Sequence, residues 1–206
     1  KNGEYFEVPL ELRGGQDSGQ DVIHSRAKAI LNDQPIPAPP NQFSKVTIAG
    51  TYNKHIQDIY DDVLFHGIEL RGIRKIVSCS SHGMVARISA APAPRQWMSS
   101  PLRDRWIVDP LVLDCAFQMA TVLCFEEKQT LSLPSSVTSY RQYRNQFPVE
   151  GVTTELEATE ISDHKMRGDF TFSDANGDIV ARLTGYQAVV DASLFKAFKS
   201  RYSAMA

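Results

Sequence analysis

An α+β fold, with one long buried helix packed against a mainly antiparallel and strongly bent sheet, is predicted by three observations. From Leu111 to Phe125 nearly every residue is apolar, the mark of a helix buried on most sides rather than laid on a surface. Asp109 is a good N-cap and Pro110 suits the first helical position, so the start of that helix is sharply defined. Around it stand short strand-like segments separated by turn residues, too close together for helical crossovers between parallel strands.

Taken in order, residues 5–12 have strand composition, Arg13 to Gln20 reads as a flexible loop with Gly14, Gly15 and Gly19, and Asp21 to Leu31 is a second strand. Two strands alone do not make a stable domain, so their neighbours come from elsewhere. Pro35 to Pro40 is a stiff linker, because its closely spaced prolines remove backbone donors and favour extended chain. Lys54 to Leu64 is a short helix ending near His66 and Gly67. Gly72 to Ser78 and Val85 to Ala90 alternate as strands about a turn at Ser81-His82-Gly83, and Ala91 to Asp104, with its prolines, is a loop. The buried helix runs from Asp109 to about Glu127. Leu133-Pro134 opens a run of strands over Ser136–Tyr143, Thr153–Ile161, Lys165–Phe172 and Ile179–Val190, the last two joined by a turn at Ser173 to Gly177. The expected organisation is residues 1–34 as terminal strands of one unit, 35–43 as linker and 44–206 as a second, complete unit. No repeat or low-complexity segment is visible.

A chain of 206 residues with 42% hydrophobic content can bury a sizeable core. A net charge of -2 with no long Lys/Arg run argues against nucleic acid or an anionic membrane as the main partner. Cys79, Cys115 and Cys124 cannot all pair with one another, and two lie in the apolar helix. They read as reduced core residues of a cytoplasmic protein. The five histidines and three cysteines show no metal-ligand spacing, so no metal is expected. Lys1 in place of an initiator Met suggests a piece of a longer chain.

The candidate chemistry sits on the buried helix. Asp114 interrupts it, and with Gln118 four residues on and Thr121 seven on makes one polar stripe along an apolar rod. Such a stripe is either a narrow window to solvent or one wall of an active site. His66 follows a helix end and reads first as a C-terminal cap. His24, His55 and His82 read as surface or packing residues, and Trp97 and Trp106 as packing. Arg95, Arg103 and Arg105 crowd the loop before the helix, either merely solvated or able to meet an acidic partner.

The order of motifs resembles the dehydratase domain of polyketide synthases. It comprises Leu64-Phe65-His66-Gly67-Ile68-Glu69-Leu70, then Asp109-Pro110-Leu111-Val112-Leu113-Asp114-Cys115-Ala116-Phe117-Gln118, then Leu133-Pro134, then Gly177 through Gly185-Tyr186. The resemblance covers roughly residues 43–190 and is most specific at the Asp-xxx-Gln helix. It implies a hot-dog fold, a long central helix wrapped by an antiparallel sheet. Two such folds are fused in that family, so this chain would hold the complete second hot-dog plus the last strands of the first. Two departures stand out. The family's Tyr-Gly-Pro-x-Phe reads His66-Gly67-Ile68-Glu69-Leu70 here, and its His-xxx-Gly-xxxx-Pro motif is absent. His164 and Gly168 supply only its first half, with Ser173 at the proline position.

The resemblance further implies dehydration of β-hydroxyacyl thioesters to α,β-unsaturated products, with Asp114 as general acid, Gln118 orienting it, and His66, Gly67, Leu133 and Pro134 against substrate. The base would be a histidine preceding Lys1. A carboxyl group can serve as an acid at neutral pH where apolar surroundings disfavour its ion, and Asp114 between Leu113 and Cys115 is expected to have such surroundings. No cofactor is implied beyond the phosphopantetheine arm of an acyl carrier protein. The implied partners are that carrier, the N-terminal hot-dog half and neighbouring synthase domains, and a homodimer is allowed. The same helix would also fit a product-template, cyclase or isomerase domain, or a non-catalytic acyl-binding half that lacks the base.

Overall fold

The computed structural model describes residues 5–14, 22–40 and 51–194. Most of the loop expected up to Gln20, residues 41–43 of the expected linker, and the chain beyond 194 lie outside the described residues. The chain divides into two compact units, Lys1–Ile36 and Pro37–Ala206.

The first unit holds one antiparallel ribbon of β1 (Tyr5–Gly14) and β2 (Val22–Asn32). Strict alternation along β1 sorts its two faces. On one face Glu7 pairs with Lys28 at 3.1 Å, and Glu11 pairs with Arg26 at 3.0 Å and with Arg13. On the other, Phe6, Val8, Leu10 and Leu12 stand opposite Leu31, Ala29, Ala27 and Ser25, and these large apolar side chains are exposed. The strand runs two residues, Arg13 and Gly14, into the expected loop, with a bulge at Leu12/Arg13.

The second unit is built on the predicted helix. Following α1 (Ile56–Asp62) and the four-residue α2 (Pro94–Trp97), the long helix is α3 (Pro110–Lys128), with Asp109 accepting from the Val112 N–H at 2.9 Å and Pro110 at the first helical position. It ends at Gln129, whose left-handed φ of 54° returns its N–H to the Phe125 carbonyl. The strands β3 (Ile73–Ser80), β4 (Gly83–Ile88), β5 (Leu131–Ser136), β6 (Ser139–Gln142), β7 (Val152–Ile161), β8 (Lys165–Ser173) and β9 (Ile179–Asp191) form one antiparallel sheet. Their order is β3-β4-β7-β8-β9-β5, with β6 also paired to β9. α3 touches β3 near one edge and β5 at the other, as well as β4, β7 and β8 between them. Six strands at about 4.8 Å spacing span roughly twice the ~10–12 Å diameter of a helix, so the sheet must curl round α3 to make all of these contacts. That is the long helix wrapped by a bent antiparallel sheet expected of a hot-dog.

Side chains on the concave face fill the space between. Tyr186 of β9 stacks on Phe117 of α3 with centroids 5.4 Å apart, and Phe170 meets Tyr186 edge-on at 5.3 Å. Thr121, third member of the polar stripe, donates to the carbonyls of Phe117 and Ser132, both at 3.2 Å. It therefore ties α3 to β5 and faces no solvent.

Element boundaries differ from the sequence reading in three places. The expected loop over 91–104 contains α2. The first helix is shorter, Ile56–Asp62 rather than Lys54–Leu64. The single strand expected over Ser136–Tyr143 is two, β5 and β6, with Leu133 and Pro134 inside β5 instead of ahead of it. The break falls opposite Gly185, which has φ +64 and where a Cβ would lie 2.2 Å from Thr138 Oγ1. β9 is bulged there, so its two partners cannot run on as one strand.

Gly151, before β7, has φ +91, and an added Cβ would lie 2.0 Å from the backbone oxygen of Ile88. Gly151→Ala should therefore cost about 1–3 kcal/mol by overpacking and backbone strain. Gly67→Ala, where the Cβ meets nothing within 4 Å at φ -63, should stay within about 0.5 kcal/mol. Thermal unfolding of the two variants checks both values.

Candidate active site

α3 brings Asp114 and Gln118 onto one side one helical turn apart, and the connection between α1 and β3 crosses over them. That connection, residues 63–72, carries His66, Gly67 and a turn of 3-10 helix at Ile68–Leu70. Its close approach to α3 depends on Gly72, where a Cβ would lie 2.7 Å from both Cys115 Sγ and Leu111 Cγ.

Gln118 is 1% exposed, and a buried amide must find partners for its N–H and C=O groups. Its Nε2 donates to Asp114 Oδ2 at 2.7 Å and to the Leu70 carbonyl at 2.8 Å, while its Oε1 accepts from Tyr60 Oη at 3.0 Å. Tyr60 Oη in turn accepts from the Ile73 N–H at 2.9 Å. Tyr60 is a site residue that the sequence reading did not single out. It lies in α1, fifty-eight positions from Gln118, and its apolar spacing marks it only as core. Burial pushes its hydroxyl pKa well up, so it remains an O–H donor.

Asp114 is less enclosed than its neighbours Leu113 and Cys115 imply. Its side chain is 31% exposed, so the carboxyl group faces a solvent window on one side and is only partly enclosed. The reason is rotational: Cys115 points into the core, and Asp114, about 100° away round the helix, points toward the gap beside His66. Oδ2 is held by Gln118, which leaves Oδ1 as the oxygen open to a reactant.

His66 does not cap α1; the C-cap is Val63. The ring sits on extended chain past the helix end, 12% exposed, stacked on Phe65 at 4.4 Å, with Nε2 3.7 Å from Asp114 Oδ2. Its Nδ1 is buried without a partner. Burial pulls its pKa below the ordinary value, against a smaller upward pull from Asp114. Gly67 is exposed beside it. Leu133 and Pro134 are exposed on β5, paired with Val189 and Ala188, and among the described residues no hydrogen bond joins them to Asp114 or His66. Pro134 suits that edge position because it has no N–H to offer an outer strand.

The loop before α3 is more internally bound than its basic composition suggests. Arg95 pairs with Asp104 at 2.7 Å, and Trp106 donates to the Pro92 carbonyl at 2.7 Å and packs on Trp97 at 5.9 Å. Arg103 and Arg105 are exposed, the latter at a recess shared with Trp106, Asp109 and Phe147. Burial raises the thiol pKa of Cys115 to about 12, so it is an inert core residue and no nucleophile. Among the described residues no cluster of His, Cys, Asp or Glu could hold a metal, and no helix is long and apolar enough to cross a membrane.

Residues 44–190 match the family described as PS-DH, polyketide synthase dehydratase N-terminal domain. Over 128 residues the chain is 31% identical to one of the subunits of the polyunsaturated fatty acid synthase of Thraustochytrium sp. (strain ATCC 26185 / S-3), a stretch that covers 62% of this chain and 4% of that protein. The fold is similar to that of the dehydratase domain of RzxB from Pseudomonas fluorescens, with TM-score 0.67, 18% identity, and 88% of this chain and 63% of that one covered. It is also similar to the dehydratase domain from the CurK module of the curacin polyketide synthase, with TM-score 0.66, 19% identity, and 91% and 63% covered.

The depressed pKa of His66 has a consequence for stability. The unfolded imidazole, near 6.5, takes up a proton at higher pH than the folded one. Stability is therefore full above that value, falls as pH drops through it, and stops falling below the folded pKa. In His66→Asn, thermal unfolding should lose less stability between pH 7 and about pH 5 than the parent does.

Proposed function

Because the chain belongs to the polyketide synthase dehydratase family over residues 44–190, we propose that it supplies the acid side of a site that removes water from β-hydroxyacyl thioesters carried on an acyl carrier protein. The observation that carries this reading is the Asp114 carboxyl group, partly open to solvent, with Oδ2 gripped by Gln118 and Oδ1 without a hydrogen bond among the described residues.

The chemistry needs two proton transfers. A base takes the proton from the carbon next to the thioester carbonyl. The electron pair becomes the new C=C bond, the β C–O bond breaks, and the hydroxyl leaves as water once Asp114 Oδ1 has given it a proton. Gln118 keeps the carboxyl group directed and leaves only one of its oxygens available. The base is assigned to an imidazole on a segment not present in these 206 residues, since no His-xxx-Gly-xxxx-Pro occurs in them. The chain spans 63% of the length of the dehydratase structures it matches, which accords with a site shared between two halves. The exposed apolar face of β1–β2 supports assigning that ribbon to the other hot-dog, whose core would cover Phe6, Val8, Leu10 and Leu12.

His66 is assigned to the leaving hydroxyl. An unprotonated Nδ1 costs less to bury without a partner than an N–H would, so the neutral ring carries its proton on Nε2, directed at Asp114. At 3.7 Å the pair is too long for a hydrogen bond, and a hydroxyl oxygen held near both groups could accept from Nε2 while receiving the Oδ1 proton. In this role His66 offers the single donor that a tyrosine offers in the family's motif. Arg103 and Arg105, both exposed, are the basic groups available to an acidic carrier.

In the full-length protein, Asp114→Asn should lower turnover of a β-hydroxyacyl thioester by about 10²–10⁴-fold with unchanged thermal unfolding. Mass spectrometry should show the parent's product as the substrate less one water. Near-normal turnover in the variant would remove Asp114 from the chemistry, and a cyclised product would favour a product-template activity. For the ribbon, Leu10→Lys should leave its charged face intact yet speed proteolysis of residues 1–36 in the full-length protein. Unchanged cleavage would detach the ribbon from any covering core.

A further inference from the structure

We infer that Tyr60 is a positioning residue that anchors the oxygen of the Gln118 amide and so holds its N–H end in line with Asp114. The inference rests on the assignment of Asp114 as proton donor.

The direction of every hydrogen bond in the chain of groups is set by two backbone atoms that cannot reverse. The Ile73 N–H can only donate, and it donates to Tyr60 Oη at 2.9 Å. Its presence on the oxygen turns the Tyr60 hydrogen outward, toward Gln118 at 3.0 Å, so the atom there must be the amide oxygen. At the other end the Leu70 carbonyl can only accept, and takes an N–H of Gln118 at 2.8 Å. One amide hydrogen remains, and it meets Asp114 Oδ2 at 2.7 Å. The order Ile73, Tyr60, Gln118, Asp114 thus runs donor to acceptor throughout, and the amide orientation, usually ambiguous by shape alone, has one solution.

The tyrosine is itself held against rotation. The Arg71 guanidinium lies 5.3 Å from its ring centroid and is anchored by Asp61 at 3.0 Å and by the His66 carbonyl at 3.4 Å. Leu70 and Arg71 belong to the connection that also carries His66, and Ile73 follows it as the first residue of β3, so one continuous stretch of chain orients both sides of Asp114.

Without the Tyr60 hydroxyl the Gln118 oxygen is left buried with no donor, although the Leu70 carbonyl still opposes a half-turn of the amide. The amide then tilts as its oxygen seeks a donor, and the N–H that directs Asp114 Oδ2 is drawn out of line. The chemical step is weakened while substrate binding is untouched, a pattern that separates kcat from KM.

The test uses the full-length protein and a β-hydroxybutyryl N-acetylcysteamine thioester as probe. Tyr60→Phe should lower kcat about tenfold or more with KM nearly unchanged. In a Gln118→Leu background the same substitution should have no further effect on kcat, because the only path from Tyr60 to the carboxyl group has gone. A wild-type kcat in Tyr60→Phe, or an undiminished effect in the Gln118→Leu background, would overturn the inference. Should Tyr60→Phe fail to fold, Gln118→Glu replaces it: this keeps the shape but removes the N–H donors, and should lose kcat comparably, whereas a wild-type rate there also overturns the inference. Asp114→Asn separates the two levels. If it turns over normally the acid assignment fails; if it is inactive while Tyr60→Phe is normal, only the role of Tyr60 fails.

Discussion

A helix that is apolar on almost every side cannot rest on one face of a flat sheet, and that constraint governs this molecule. Met119, Ala120, Val122, Leu123 and Cys124 are all fully buried, although at about 100° per residue they span more than half of the way round α3. Only a sheet that curls until its two ends approach the same rod can cover them. The curl needs places where the chain yields. Gly185 breaks the line between β5 and β6, and Gly151 passes against the backbone at Ile88. The antiparallel order also leaves β5 as an edge strand, which Pro134 occupies without loss.

The same enclosure makes polar groups on α3 expensive unless they are paired, and each member of its polar stripe meets that demand differently. Thr121 spends its hydroxyl on backbone carbonyls and becomes a structural tie to β5. Gln118 satisfies its amide through Leu70, Tyr60 and Asp114. Asp114, nearest the crossing connection, keeps one oxygen without a hydrogen bond among the described residues and one side open to solvent. The proposed chemistry sits where the wrapping is incomplete, because only there can a small molecule reach a group that the core would otherwise have paired or excluded.

The connection from α1 to β3 is the element on which the site turns. It is short, it packs so closely on α3 that Gly72 has no room for a side chain, and it brings the Leu70 carbonyl to Gln118 and the His66 imidazole to Asp114. In the proposed role, the buried His66 offers one donor and no second, as the tyrosine of the resembled motif would.

The long helix, its cap at Asp109 and the antiparallel strands were legible in the chain because each depends on neighbours in sequence: a cap three residues from its donor, an apolar run, an alternation of period two. Asp114 and Gln118 were legible as a pair for the same reason, being one turn apart. What the residues around Asp114 suggested about its surroundings was misleading, since adjacent helical positions point in different directions and Cys115 faces the core while Asp114 does not. Likewise His66, a cap by its place in the chain, turns to the carboxyl group instead. Tyr60 carried no local sign of its role at all. Its partners lie thirteen and fifty-eight positions away, and direction in a hydrogen-bonded chain is decided only when the fold brings a fixed donor to one end and a fixed acceptor to the other.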